Sequence, residues 1–279
     1  MGRKSPVVIS EGAFSLGVPH SSNCGEGPGF LVALAILTAV LRAIFPERRK
    51  EVLVGSPNRD GEVDSLSSRI EEYGSRFRSE PTETVVRELA QTFIARGNFF
   101  AERGKSLEAE GDYLKALELF REFQDLFAPD ESKHRLAGTL NNLGRVRRDA
   151  GTLSEGITTF DQALGVLDES AGDGPDGSDL LRAMILNNRG IARVRLQDSD
   201  GAVGDFTASV EFAHKSFEKR QDAKSASALI EALSNRGASY SHSGRHAEAL
   251  GDYNAALEWC RVLSELDATA SRASFARCL

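Results

Sequence analysis

Apolar and polar positions alternate along most of this chain with the period of a helix. From about residue 62 onward, apolar and small residues recur three and four positions apart, with charged residues between them. That spacing puts one apolar stripe on each helix and leaves a solvated face opposite. The stripes fall into a frame that occurs four times. It starts at Gly104, Gly144, Gly190 and Gly237. Seven residues later stand Gly111, Gly151, Gln197 and Gly244, and twelve later Ala116, Gly156, Ala202 and Ala249. Sixteen later comes an aromatic, Phe120, Phe160, Phe206 or Tyr253, and nineteen later Phe123, Ala163, Ser209 or Ala256. Four residues before each starting glycine sits Phe100, Leu140, Leu186 or Leu233.

Each unit predicts two helices joined by a tight turn. The starting glycine lies within the first helix, where it costs about 1 kcal/mol relative to alanine. That cost is tolerable where a partner helix must come too close for a side chain. The second small position suits a left-handed helix C-terminus. The third opens the packing stripe of the second helix, which the aromatic and the last small residue continue. Leu117, Ile157, Val203 and Leu250 are expected to widen it. Such a unit cannot bury its own apolar face, so neighbours must stack.

The pattern of small residue, glycine, aromatic and alanine resembles the tetratricopeptide repeat (TPR) across roughly residues 81–266. The resemblance implies an all-α fold: a right-handed superhelical solenoid of stacked antiparallel helix pairs. The family period is 34 residues, whereas the glycines here are 40, 46 and 47 apart. The extra residues are expected in the loop at 170–178 and in longer helices, for example across 222–234.

The first sixty residues differ. Residues 1–28 are rich in Gly, Ser and Pro, without helical period, and read as a flexible segment. Residues 30–45 are apolar on all sides, which marks a buried helix or a membrane one. Sixteen residues span about 24 Å, short of the roughly 30 Å hydrocarbon core, so a buried helix is favoured. If it inserted, Arg48, Arg49 and Lys50 would keep the following chain in the cytoplasm. Residues 29–61 are therefore read as apolar helix and linker, and 62–279 as the array. Residues 64–77 form an amphipathic helix ahead of the first unit, and Pro81 suits the first turn of the next.

Composition adds exclusions. The formal net charge of −7 argues against nucleic acid as partner. The odd count of three cysteines, Cys24, Cys260 and Cys278, argues for a reducing compartment. Gly104-Lys105-Ser106 imitates the end of a phosphate loop but lacks its leading glycine, and its place within a helix is expected to be structural. His242 and His246 flank the turn at Gly244 and should not share a helix face. Asp161, Asp205 and Asp252, beside the repeat aromatics, read as solvated. No catalytic residues, cofactor or metal are expected.

One repeated feature points to binding. Two residues before the glycine stand Asn142, Asn188 and Asn235, with Glu102 in the first unit. Two residues is about 200° of helical rotation, so these side chains point away from the packing glycine and align along an exposed face. An amide both donates and accepts, so a ladder of them could hold a peptide backbone. The TPR resemblance implies the same use for asparagines there. An alternative is that they hydrogen-bond the neighbouring repeat. Three residues after this position stand Lys105, Arg145, Ile191 and Ala238, and Arg148 adds charge a turn on. The groove is thus expected to be basic toward units one and two and apolar toward three and four. The reading is a noncatalytic, cytoplasmic scaffold that takes a partner's peptide segment with an acidic stretch. Alternatives are a self-assembling module that forms homo-oligomers, and a membrane-anchored array held by 30–45.

Overall fold

The computed structural model describes residues 60–168 and 178–278. The expected N-terminal segment, the apolar helix at 30–45 and most of the loop at 170–178 lie outside the described residues. Among the described residues there are nine α-helices and no strand. They are α1 (Asp60–Ser79), α2 (Glu83–Ala101), α3 (Ser106–Glu122), α4 (Pro129–Ala150), α5 (Leu153–Asp168), α6 (Ser178–Arg195), α7 (Ser199–Arg220), α8 (Ala223–His242) and α9 (His246–Cys278). One 3-10 turn, Gln124–Leu126, follows α3.

α2/α3, α4/α5, α6/α7 and α8/α9 are the four helix pairs, each packed antiparallel within itself and against the next. Their first helices, α2, α4, α6 and α8, also pack on one another, whereas the second helices of neighbouring units have no comparable packing. This asymmetry bends the stack with the first helices on its inner side. α1 covers the open end: Ile70, Tyr73 and Phe77 pack on the core, and Phe77 meets Phe123 edge-to-face at 5.2 Å. Thr82, not Pro81, begins α2; its hydroxyl accepts from the Val85 amide at 3.4 Å. Pro81 stands just ahead of the cap.

The packing at the repeat glycines corrects the expected register of the first unit. Gly104 is not a packing glycine. It lies in the α2–α3 turn at φ 69°, and a Cβ there would meet nothing within 4 Å. The packing residue is Gly97, where a Cβ would come within 2.8 Å of the Tyr113 ring. The corresponding approaches are 2.5 Å at Gly144 to Phe160, 2.6 Å at Gly190 to Phe206 and 3.0 Å at Gly237 to Tyr253. The first unit thus runs Phe93, Gly97, Gly104, Ala109, Tyr113, Ala116, seven residues earlier than expected. The intervals between packing glycines become 47, 46 and 47. The seventh residue after each packing glycine is left-handed: Gly104 at 69°, Gly151 at 93°, Gln197 at 62°, Gly244 at 75°. The long period comes from long helices: α4 and α7 have 22 residues each. Leu117 is buried, but Leu250, expected on the stripe, is 48% exposed.

The solvated reading of the repeat aspartates also fails for two of the three. Asp205 and Asp252 are buried, as is Asp112. Each takes a two-pronged grip from the arginine just before its unit's packing glycine. Arg96 holds Asp112 at 2.7 and 2.8 Å, Arg189 holds Asp205 at 3.0 and 2.6 Å, and Arg236 holds Asp252 at 2.8 and 2.7 Å. The clamps tie first helix to second within a unit. The second unit has Leu143 and Thr159 at these places, and Arg147 reaches Thr159 instead, at 2.9 Å. Asp161 is more exposed and pairs with Arg189.

Candidate functional site

The inner side of the stack is built from the helix faces of α2, α4, α6 and α8 that point away from the glycine packing. Hydrogen bonds across the units set its register. Asn188 donates to Asn141 Oδ1 at 3.0 Å, and Asn235 donates to Asn187 Oδ1 at 2.9 Å. In each case the amide two residues before one glycine meets the amide three residues before the previous one. Asn141 and Asn187 are buried. The repeated asparagines therefore form a staple between first helices, which places equivalent residues of α4, α6 and α8 side by side.

Asn142 stands outside this ladder. Its counterpart in the first unit is Ile94, which offers no acceptor. Asn142 is half-buried and has no hydrogen-bonding partner among the described residues. Asn188 is the most committed, because Arg148 also donates to its oxygen at 2.9 Å. Arg148 is otherwise tied to Asp149 and is largely covered, so it does not stand free in the groove. Lys105 is not on a helix face at all: it is the N-cap position of α3, its ammonium 5.7 Å from the Phe100 ring centroid. The residue equivalent to Arg145 in unit one is the exposed Asn98, whose Oδ1 accepts from the Tyr113 hydroxyl at 2.6 Å. Glu102 likewise falls past the end of α2, and Ala95 holds the asparagine position.

Arg145 is exposed and makes no ion pair among the described residues. Its charge nonetheless reaches two distant groups. Burial pushes the Glu231 carboxyl above its ordinary range, and Arg145 partly offsets this. Glu231 is solvent-accessible, so protein surrounds it without covering it, as on a concave wall. It lies on α8 and Arg145 on α4, with α6 between them. Burial also pushes the Tyr113 phenol up to about 12, while Arg145 acts to lower it and Glu102 and Asp112 to raise it. Between Arg145 and Glu231, α6 presents Met184 and Val194, 43% and 46% exposed, with Ile191 half-buried.

The face is thus polar at unit one, basic at unit two, apolar at unit three and acidic at unit four. The expected basic character at unit one and the wholly apolar far end are both corrected. Sequence reasoning missed Asn141 and Asn187 as partners, although each sits visibly beside its neighbour asparagine. It also missed Met184 and Glu231, which carry no repeated signal. Among the described residues, no group of three or more His, Cys, Asp or Glu could hold a metal. His242 and His246 lie on either side of the left-handed Gly244. In the Gly104-Lys105-Ser106 run, Gly104 and Lys105 lie in the α2–α3 connection and Ser106 begins α3, so the run is not a helix interior.

No family model matches the chain, and no curated protein matches it. Among solved structures, the apo form of RapI is similar, with a TM-score of 0.55 and 16% identity over 86% of this chain and 74% of RapI. BtubC (BKLC) from P. vanneervenii matches at 0.46 with 18% identity, over 74% of this chain and 92% of its own. MamA matches at 0.45 with 14% identity, over 76% and 99%. The likeness to RapI shows the fold alone. The protein is a TPR-like, all-α helical-repeat solenoid. No helix among the described residues is long and apolar enough to cross a membrane.

Proposed function

We propose that the array is a noncatalytic interaction scaffold that holds an extended peptide segment of a partner protein on its concave face. The observation that carries this reading is the unpaired amide of Asn142 beside the unpaired guanidinium of Arg145, next to exposed apolar side chains of α6. A peptide backbone would satisfy the amide's donor and acceptor together. Met184 and Ile191 offer an apolar anchor whose burial supplies affinity. Asn188 and Asn235 spend one donor each on the ladder and contribute only their remaining capacity. Lys105 and Arg148 are left at the margin. The fold supports the reading because TPR-like solenoids are interaction modules.

The test is affinity capture with the parent array and with Asn142→Ala and Met184→Asp, followed by titration of the captured partner's segment as a synthetic peptide. Both substitutions should weaken binding without lowering the melting temperature, since neither side chain packs in a core. Undiminished binding by both variants would remove the concave face from consideration and turn attention to the end faces.

A further inference from the structure

The order of charges along the concave face restricts what it can hold. The asparagine ladder aligns the glycine-relative positions of α4, α6 and α8. Arg145 then shares a row with Ile191, and Glu231 shares with Met184 a second row on the same face about two helical turns away, so the four make a diagonal across three units. The positive and the negative charge are both solvent-accessible, and neither has an ion-pair partner among the described residues. They sense each other across α6 without pairing. Three other arginines of the array behave differently: Arg96, Arg189 and Arg236 are locked to buried aspartates. Gly138, six residues before the packing glycine of unit two, is the counterpart of Met184 and Glu231. A Cβ there would meet nothing within 4 Å. The wall is therefore open at that point and a ligand backbone can come close to α4.

We propose that the concave face selects a mixed-charge peptide: an acidic residue at Arg145, an apolar residue on Met184 and Ile191, and a basic residue at Glu231. This rests on the peptide-binding reading above and adds to it the partner's charge order. A segment acidic throughout would meet Arg145 favourably but place a carboxylate beside Glu231. A basic segment would fail at the other end. Like charges brought together on binding cost affinity and slow association. A mixed segment answers both ends, and because the match is by charge position, either chain direction can supply it.

The experiment uses the full chain and three labelled peptides of equal length with the same apolar centre. One is acidic at one end and basic at the other, one acidic at both ends, one basic at both. Anisotropy titrations at low salt should rank the mixed peptide first, by about fivefold over each of the others. Arg145→Glu should transfer the preference to the basic–apolar–basic peptide, and Glu231→Lys to the acidic–apolar–acidic one. Gly138→Trp, which fills open space rather than the core, should abolish binding of all three while circular dichroism stays unchanged. If Gly138→Trp abolishes binding but charge reversal leaves the ranking alone, the charge order is wrong and the groove reading stands. If Gly138→Trp leaves binding intact, the groove reading itself falls. Absence of binding by the mixed peptide up to about 1 mM would likewise overturn the proposal.

Discussion

Two glycines six residues apart on α4 should respond to the same substitution with opposite sign. At Gly144 an added methyl would sit 2.5, 2.8 and 2.9 Å from three carbons of the Phe160 ring. Carbon–carbon contacts are favourable only from about 3.5 Å outward, so the overlap approaches 1 Å. The Phe160 ring is wholly buried and cannot swing aside. Overpacking of this kind costs roughly 1–3 kcal/mol, and the size of the overlap argues for the upper half. At Gly138 nothing lies within 4 Å of the new methyl. There only the helix propensity acts, a gain of about 0.5–1 kcal/mol. Both sites are interior to one helix, so propensity and unfolded-chain effects cancel in the comparison. Gly144→Ala should therefore be less stable than Gly138→Ala by about 2 kcal/mol. Urea titrations followed by far-ultraviolet circular dichroism measure the difference. Repeat arrays can lose all-or-none unfolding, so the midpoint shift and slope should be read together. Adding Phe160→Leu to Gly144→Ala should recover part of the loss. Equal stability of the two alanine variants would mean that α4 and α5 are not packed through this glycine, and the repeat register would be wrong.

Three further outcomes follow from the contacts. Asn188→Ala leaves Asn141 Oδ1, on a buried residue, without its donor and should cost about 1–3 kcal/mol in denaturant titration, whereas Asn142→Ala should be neutral. Asp252→Ala strands the guanidinium of Arg236, which is 18% exposed and pairs with no other carboxylate among the described residues, and should cost about 3 kcal/mol; a loss near zero in thermal melts would show the clamp to be solvent-screened. Tyr113 holds its proton until about pH 12 in the folded chain against 10.0 for a free phenol. A raised folded value means stability that is complete below pH 10 and lost as pH rises from 10 toward 12. Tyr113→Phe should flatten that decline in melts across the window, and an unchanged slope would refute the assignment.

Much of the fold is legible in the residues because the packing rules are local. A glycine facing an aromatic sixteen residues on, with a left-handed residue seven on, is read in three units without error. The slip in unit one has a physical origin. Seven residues turn a helix by nearly two full turns, a drift of only about 20°, so a frame moved by seven lands on almost the same face. Gly104 and Gly111 happened to occupy the shifted positions, and Phe120 supplied an aromatic. What separates the registers is backbone sign: Gly104 needs φ 69° and Gly97 does not, and composition alone carries no such mark. The clamps were hidden for a different reason. Asp205 is polar and lies next to Phe206, so periodicity places it at the stripe's edge. Only the position of Arg189, sixteen residues earlier, decides that it is buried and paired.

The asparagines show how one repeated residue comes to serve two ends. The same amide that would grip a peptide is, at Asn188 and Asn235, occupied by the neighbouring unit. Repetition is therefore evidence of stacking first, because a ladder needs equivalent residues at every step. In the proposed reading, the amide left for a peptide is the one where the ladder is interrupted. Ile94 takes the place of the next acceptor, and Asn142 is left with donors and acceptor unspent. Arg145, three residues on, is likewise the one member of its row that carries a charge: Asn98, Ile191 and Ala238 are its neighbours across the units. A perfectly regular array would have satisfied its own face. It follows that restoring the symmetry should damage binding while strengthening the fold. Ile94→Asn would give Asn142 a partner, raise stability by about 1 kcal/mol, and remove the free amide from the groove. A variant that gains the staple yet binds a captured peptide as tightly as the parent would show that the break at unit one is incidental.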